Sequence, residues 1–395
     1  MLTLAAFSHL WWKLLGFFWD ISVYERAATD YSHGIDAYRR GLRFPFVYHP
    51  LILRVLAQLQ ALISLEVLLP VLTLAATAWL FIELVHGKRL DPTRVGLGFL
   101  TAAGFGGIGA PALMSGNLSP LMHLALMAAL LRSTRAAGTF LRYLPYGLIF
   151  SFALVKPYML IYLVVPLLYE RRVIALACSA LVLALFALTW LSFMAHWPGE
   201  YASFVANLSS YALGNGDLGY SFFYVFLSLT RKLQLALTLH AVASLLLIGL
   251  VPLLFAQKYG RQAPAVPQLM LMYLVLTIAN PRMKDYDLFP ALIGFFTVFG
   301  LVSSRASYIT LAGLLLASIP VIVQFVVPEV TNRHPQILDP FGNWQLIGLA
   351  LIAIAFLVEM NDAQRAVPAA TRPCEPGADK PPAPTETQST ADSMR

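Results

Sequence analysis

Asp20 directly follows Phe17, Phe18 and Trp19, so a carboxylate closes an apolar run beside aromatic side chains of the kind that settle at a lipid–water interface. Partly desolvated there, it is a candidate general base; the local alternative is that it caps the N-terminus of the next helix. Lys156 lies between two short apolar runs and is followed by Pro157, where the chain must turn. An ammonium at membrane depth needs an anion, which here is Asp20, another carboxylate or a lipid phosphate. Asn280, Pro281, Arg282, Met283, Lys284, Asp285, Tyr286 and Asp287 set two cations, two acids and a tyrosine into one short connection. Arginine offers a planar fork to phosphate oxygens and lysine a compact charge, so Arg282 and Lys284 suit an anionic leaving group. The alternative is that Asp285 and Asp287 simply pair with them. Arg39, Arg40 and Arg43 have a spacing that on a helix puts Arg39 and Arg43 on one face, fit for lipid headgroups or for interfacial anchoring. Arg54 reads as the polar edge of an interfacial helix.

The elements that must position these residues are membrane helices. Of 395 residues, 58% are hydrophobic and only 12% charged, with a mean hydropathy of +0.70, which excludes a soluble globular enzyme. A helix crossing the hydrocarbon layer takes roughly 20 apolar residues, and about twelve apolar runs recur, several shorter than a full span. They lie at about 2–19, 64–85, 95–113, 118–131, 143–155, 157–169, 173–195, 233–256, 264–278, 288–302, 308–327 and 345–358. The first has no basic leader and no small-residue cleavage pattern, and reads as a retained span with a snorkelling Lys13; a cleaved signal peptide is the weaker reading.

Loops holding Lys88, Arg89 and Arg94, then Arg132, Arg135 and Arg142, then Arg171 and Arg172, then Lys258, Arg261 and Arg305 fall on one side. That basic side is expected to be cytoplasmic, with both termini on it. The opposite side receives the segments 20–50, 114–118, 155–156, 197–232, 280–287 and 328–344, mixed in charge and rich in Tyr, Asn, Gly and Pro. Between Asp20 and residue 63, one or two short helices are expected along the membrane surface. Residues 1–360 thus read as one transmembrane domain and 361–395 as a disordered cytoplasmic tail.

The net charge of +7 comes without a basic run of the kind that binds nucleic acid. Cys178 lies in an apolar run and Cys374 in the tail, so no disulfide is expected between them. No metal-ligand spacing, Walker loop or dinucleotide fingerprint occurs, although a loosely held divalent ion needs no signature. Gly104 to Gly109 permits close helix packing, and His123 and His240 read as hydrogen-bonded residues of the bundle.

Asp20, Val23, Tyr24, Ala27 and Ala28, then Gly34, Asp36 and Tyr38, then Tyr48 and Pro50 resemble the opening of glycosyltransferase family 87, in the membrane-embedded glycosyltransferase C superfamily. Gly116 with Asn117, Lys156 with Pro157, and the segment 280–287 follow in the family's order, up to about Val302. Ala37 stands where the family often has proline, and Gly116, Asn117, Leu118 and Ser119 replace its usual Gly-Gln-x-Asn. The resemblance implies an all-α polytopic bundle of about twelve transmembrane helices with interfacial helices on its outer face. It implies a multi-pass protein of the bacterial inner membrane, and inverting transfer of a sugar, mannose most commonly, from a polyprenyl-phosphate donor to a lipid-linked or glycan acceptor on the outer side. Asp20 matches the family's catalytic aspartate. Lys156, Arg282 and Lys284 would then face the donor phosphate, and Tyr24, Tyr48, His49, Asn117, Asp285 and Tyr286 the sugar or acceptor, with no cofactor beyond the lipid-linked donor. Two alternatives stay open: a polysaccharide polymerase or ligase using a lipid diphosphate, and a lipid or solute transporter.

Overall fold

In the computed structural model of the chain, the residues described are 18–39, 45–86, 90–105, 108–136, 140–170, 172–209, 221–259, 265–299, 307–326 and 346–351. Among them the structure is helical, without a strand. Two helices, α1 (Trp19–Ser32) and α2 (Pro50–Leu62), pack on one another ahead of α3 (Leu65–Val85). Then come α4 (Pro92–Gly104), α5 (Gly109–Met114), α6 (Leu118–Ser133), α7 (Leu144–Ala153) and a 3-10 helix, Pro157–Leu168. Next are α8 (Arg172–His196), α9 (Pro198–Ser209), α10 (Phe222–Thr230), α11 (Leu233–Tyr259), α12 (Ala265–Ile278), α13 (Asp285–Phe299) and α14 (Ser307–Val326).

Helix α6 is the axis of the bundle. Its residues are apolar on every side, and such a helix is stable only when surrounded. Here α3, α7, α12 and α13 pack against it, and Leu124, Leu126, Met127, Leu130 and Leu131 are buried. It has 16 residues, about 24 Å at 1.5 Å per residue. The neighbouring 3-10 helix covers about the same distance with 12 residues, because a 3-10 helix rises about 2.0 Å per residue. Short apolar runs can therefore line the core of the bundle side by side.

Among the described residues three helices are long and apolar enough to cross a membrane: Leu65–Val85, Arg172–His196 and the Leu233–Phe255 part of α11, of 21, 25 and 23 residues. They turn large apolar side chains such as Leu176, Leu188, Leu245 and Leu246 outward, as lipid-facing helices do. Twelve spans are thus more than the described residues display. The run 95–113 is divided between α4 and α5, while 118–131, 143–155 and 157–169 form short inner elements. The first run up to Phe17, most of 345–358, Cys374 and the tail lie outside the described residues.

Two helices, α1 and α2, occupy the segment between Asp20 and residue 63. Helix α1 buries Ile21, Val23, Tyr24, Ala27 and Ala28, a helical stripe, and ends at Ser32. Arg39 is therefore not on a helix with Arg43; it lies beyond α1 and ion-pairs with Asp30 at 2.6 Å, whereas Arg40 and Arg43 lie outside the described residues. Arg54, on α2, sets its guanidinium over the Trp197 ring at 4.8 Å. At the other end of α6, the buried Glu83 holds Arg135 at 2.6 Å and Arg132 at 4.0 Å, Glu170 pairs with Arg142, and Arg94 donates to the last carbonyls of α13. Acids and helix C-termini thus anchor basic side chains that would otherwise be free to move.

Candidate functional site

Asp20 is placed by a backbone splice. The first turn of a helix leaves N–H groups without intrahelical partners, and two such groups here reach the segment before α6. Phe18 donates to the Met114 carbonyl at 2.8 Å and Asp20 to the Ser115 carbonyl at 2.9 Å. Asp20 does not cap α1, because it stands inside the first turn, after Phe18. Gly116 makes the close approach possible. It has φ +67°, and a Cβ on it would lie 2.5 Å from Cγ1 of Ile21. Gly116→Ala is expected to cost about 1–2 kcal/mol in backbone strain alone and to push α1 outward, lowering the melting temperature together with any activity that depends on Asp20.

Asn117 links this splice to the carboxylate. Its Oδ1 accepts from the Ser119 N–H at 2.9 Å and caps α6, which leaves Nδ2 to donate to Oδ2 of Asp20 at 3.0 Å. Beside it the hydroxyls of Tyr24 and Tyr48 are 3.1 Å apart, and the Tyr38 hydroxyl holds the Tyr48 carbonyl at 2.8 Å. Burial raises both Tyr24 and Tyr48 well above the ordinary phenol range, so at neutral pH they are protonated and able to donate.

These groups open on one cavity of about 190 Å³. Asp20, Tyr24, Tyr48, Asn117, Lys156, Arg282, Lys284 and Tyr286 all line it, from segments as far apart in sequence as α1 and the start of α13. Two expected residues do not. The ring of His49 accepts from the Leu51 N–H at 3.2 Å to cap α2 and reaches the Thr189 carbonyl at 3.2 Å, a structural post beneath the site. Asp285 sits in the first turn of α13 outside the lining.

The anion for Lys156 is Asp287, at 2.9 Å. Asp287 therefore does not serve chiefly to neutralise Arg282 and Lys284; from Lys284 it takes the backbone N–H, at 3.1 Å. Tyr158 also donates to it, at 2.6 Å. The Lys156 ammonium lies 4.3 Å from the centre of the Tyr286 ring, a cation–π contact. Sequence reasoning missed Tyr158 and the apolar walls Phe46, Val47 and Leu208. The signal available for Tyr158 was its place two residues after Lys156.

The two cavity carboxylates have opposite environments. Burial pushes Asp20 up to about 6, only partly offset by the Asn117 hydrogen bond and the charges of Lys156 and Lys284. Burial would raise Asp287 as well, but the Lys156 charge, with His123 3.8 Å away and the hydrogen bond from Tyr158, overrides it and holds the carboxyl well below its usual range. Two acids driven apart in this way suit different tasks: Asp20 can exchange a proton near neutral pH, whereas Asp287 stays a fixed negative charge. Lys156, Arg282 and Lys284 line the cavity together with the carboxylates of Asp20 and Asp287.

No family model, curated protein or solved structure matches the chain. Fold and composition define an all-α membrane protein.

Proposed function

We propose that the chain is a membrane glycosyltransferase that moves a sugar, mannose in the first instance, from a polyprenyl-phosphate donor to a hydroxyl of a lipid-linked or glycan acceptor. The observation that carries the reading is the meeting of a proton-exchanging carboxylate, Asp20, with Lys156, Arg282 and Lys284 around one cavity. In the reaction the acceptor oxygen bonds to the anomeric carbon and passes its proton to Asp20. The bond from that carbon to the phosphate oxygen breaks, and its electron pair leaves with the lipid phosphate. A phosphate needs cations rather than a protonating acid, so one base suffices where a glycosidase uses two carboxyl groups. Each well-placed donor to the developing charge contributes on the order of 3 kcal/mol. In-line attack inverts the anomeric centre, as the family resemblance implies. The same resemblance sets the reaction on the outer face of a bacterial inner membrane.

A sugar phosphodiester brings one negative charge to a lining that holds Lys156, Arg282 and Lys284, and a lipid diphosphate brings two, so the two donor classes are separated by experiment. The test is a donor panel of short-chain polyprenyl-phosphate sugars beside the corresponding diphosphates, with purified protein and membrane extract as acceptor. Transfer from a monophosphate donor is expected. Transfer from diphosphates alone would move the chain to the polymerase or ligase class, and turnover of neither would contradict the enzymatic reading.

The pH profile adds a second expectation. Asp20 must be ionised to accept a proton, so transfer is expected to rise with pH through about 6. Asn117→Leu removes the hydrogen bond that favours the carboxylate, so the acid limb in kcat/KM should move to higher pH. The lost α6 cap costs about 1 kcal/mol. An unmoved acid limb in the folded variant would detach Asn117 from the base.

A further inference from the structure

Behind Lys156 the polar groups continue into the bundle in one line. Asp287 is fully buried, and its Oδ1 accepts from both Lys156 Nζ and the Tyr158 hydroxyl. Because Tyr158 spends its proton on Asp287, its oxygen can only accept from Nε2 of His123, 3.1 Å away, so that nitrogen carries the hydrogen. Nδ1 of His123 then accepts from the Tyr273 hydroxyl at 2.6 Å. His123 and Tyr273 are both fully buried, on α6 and α12. From Tyr273 to Asp287 every hydrogen points toward the carboxylate.

This direction matters for Lys156. An ammonium only 15% exposed beside a buried carboxylate can relieve the cost of two charges by passing the proton across, leaving an amine and a carboxylic acid. Each hydrogen bond that the carboxylate accepts opposes that transfer. The groups facing Lys156 are Asp287, the Tyr286 and Tyr158 rings, and, across the cavity, Asp20 and Arg282. Those facing Asp287 are Lys156, Tyr158, the Lys284 N–H and, at 3.8 Å, His123. Among the described residues it is the tyrosine–histidine line that reaches Asp287 from the interior.

We propose that His123 is a positioning residue which, through Tyr158 and Asp287, keeps Lys156 an ammonium with an N–H directed into the cavity. That this N–H meets a donor phosphate rests on the function proposed above; the relay itself does not.

The test labels the purified full chain with acetic anhydride across neutral to alkaline pH and follows Lys156 by mass spectrometry, with the exposed Lys232 as internal reference. His123→Leu and Tyr158→Phe are expected to make Lys156 about tenfold more reactive at a given pH, a midpoint shift of about one unit toward acid. His123→Gln keeps an amide donor for Tyr158 and should restore much of the native profile. His240→Leu removes a buried histidine elsewhere, on α11, and should leave the profile unchanged. An unmoved midpoint in folded Tyr158→Phe protein would overturn the proposal, as would an equal shift in His240→Leu. If His123→Leu does not fold, Tyr158→Phe decides. No sugar or lipid enters the measurement, so failure of sugar transfer would leave this result standing.

Discussion

Asp287→Ala is expected to be among the most destabilising single changes in the chain, at about 3–5 kcal/mol, the usual cost of removing one partner from a buried ion pair. The loss strands the Lys156 side chain, only 15% exposed, together with the Tyr158 hydroxyl and the Lys284 N–H. A second substitution in the same chain, Lys156→Met, removes the orphaned charge and should recover much of the stability. Thermal unfolding of native, single-variant and double-variant protein in one detergent checks this. Strict additivity of the two losses would mean that the pair is not coupled in the folded protein.

Asp20→Asn is expected to do the reverse: keep the fold and lose the reaction. The carboxyl has its midpoint at about 6 when folded, against an ordinary value of 3.8, so the folded state holds the proton more tightly than the unfolded one. Stability therefore falls as pH rises from about 4 to about 6 and stays lower above that. Asparagine carries no charge to desolvate, so the variant should melt at or above the native temperature at neutral pH. Transfer should fall by about 10²–10⁴-fold, the usual contribution of a positioned general base. A variant that melts well below the native protein would show that Asp20 stabilises the fold.

How much was legible beforehand differs by residue. Asp20, Lys156 and the 280–287 connection stand out in the sequence because charge is rare in this chain and each sits where an apolar run ends; the structure brings all three to one cavity. Asn117 was legible through its glycine neighbour, and the fold supplies the reason: Gly116 allows α1 to approach, and Asn117 then bonds to the carboxylate. Partner choice was not legible. Lys156 and Asp287 are 131 residues apart, and no local spacing distinguishes Asp287 from Asp285, which stands two residues earlier on a different face of α13. His49 caps α2 and does not line the cavity, a placement decided by the backbone geometry at the start of α2. Periodicity was silent on α6, which is apolar all round, and several of the apolar runs form elements shorter than a full span.

In the proposed reaction Asp20 takes a proton from the acceptor while neighbouring cations receive a lipid phosphate. The most direct measurement is the initial rate of sugar transfer from short-chain polyprenyl-phosphate mannose to membrane extract by native and Asp20→Asn protein, with binding of the same donor measured in parallel. The expected result is transfer by the native chain, its loss in the variant, and donor binding retained in both. Transfer undiminished in a folded Asp20→Asn protein would contradict the account.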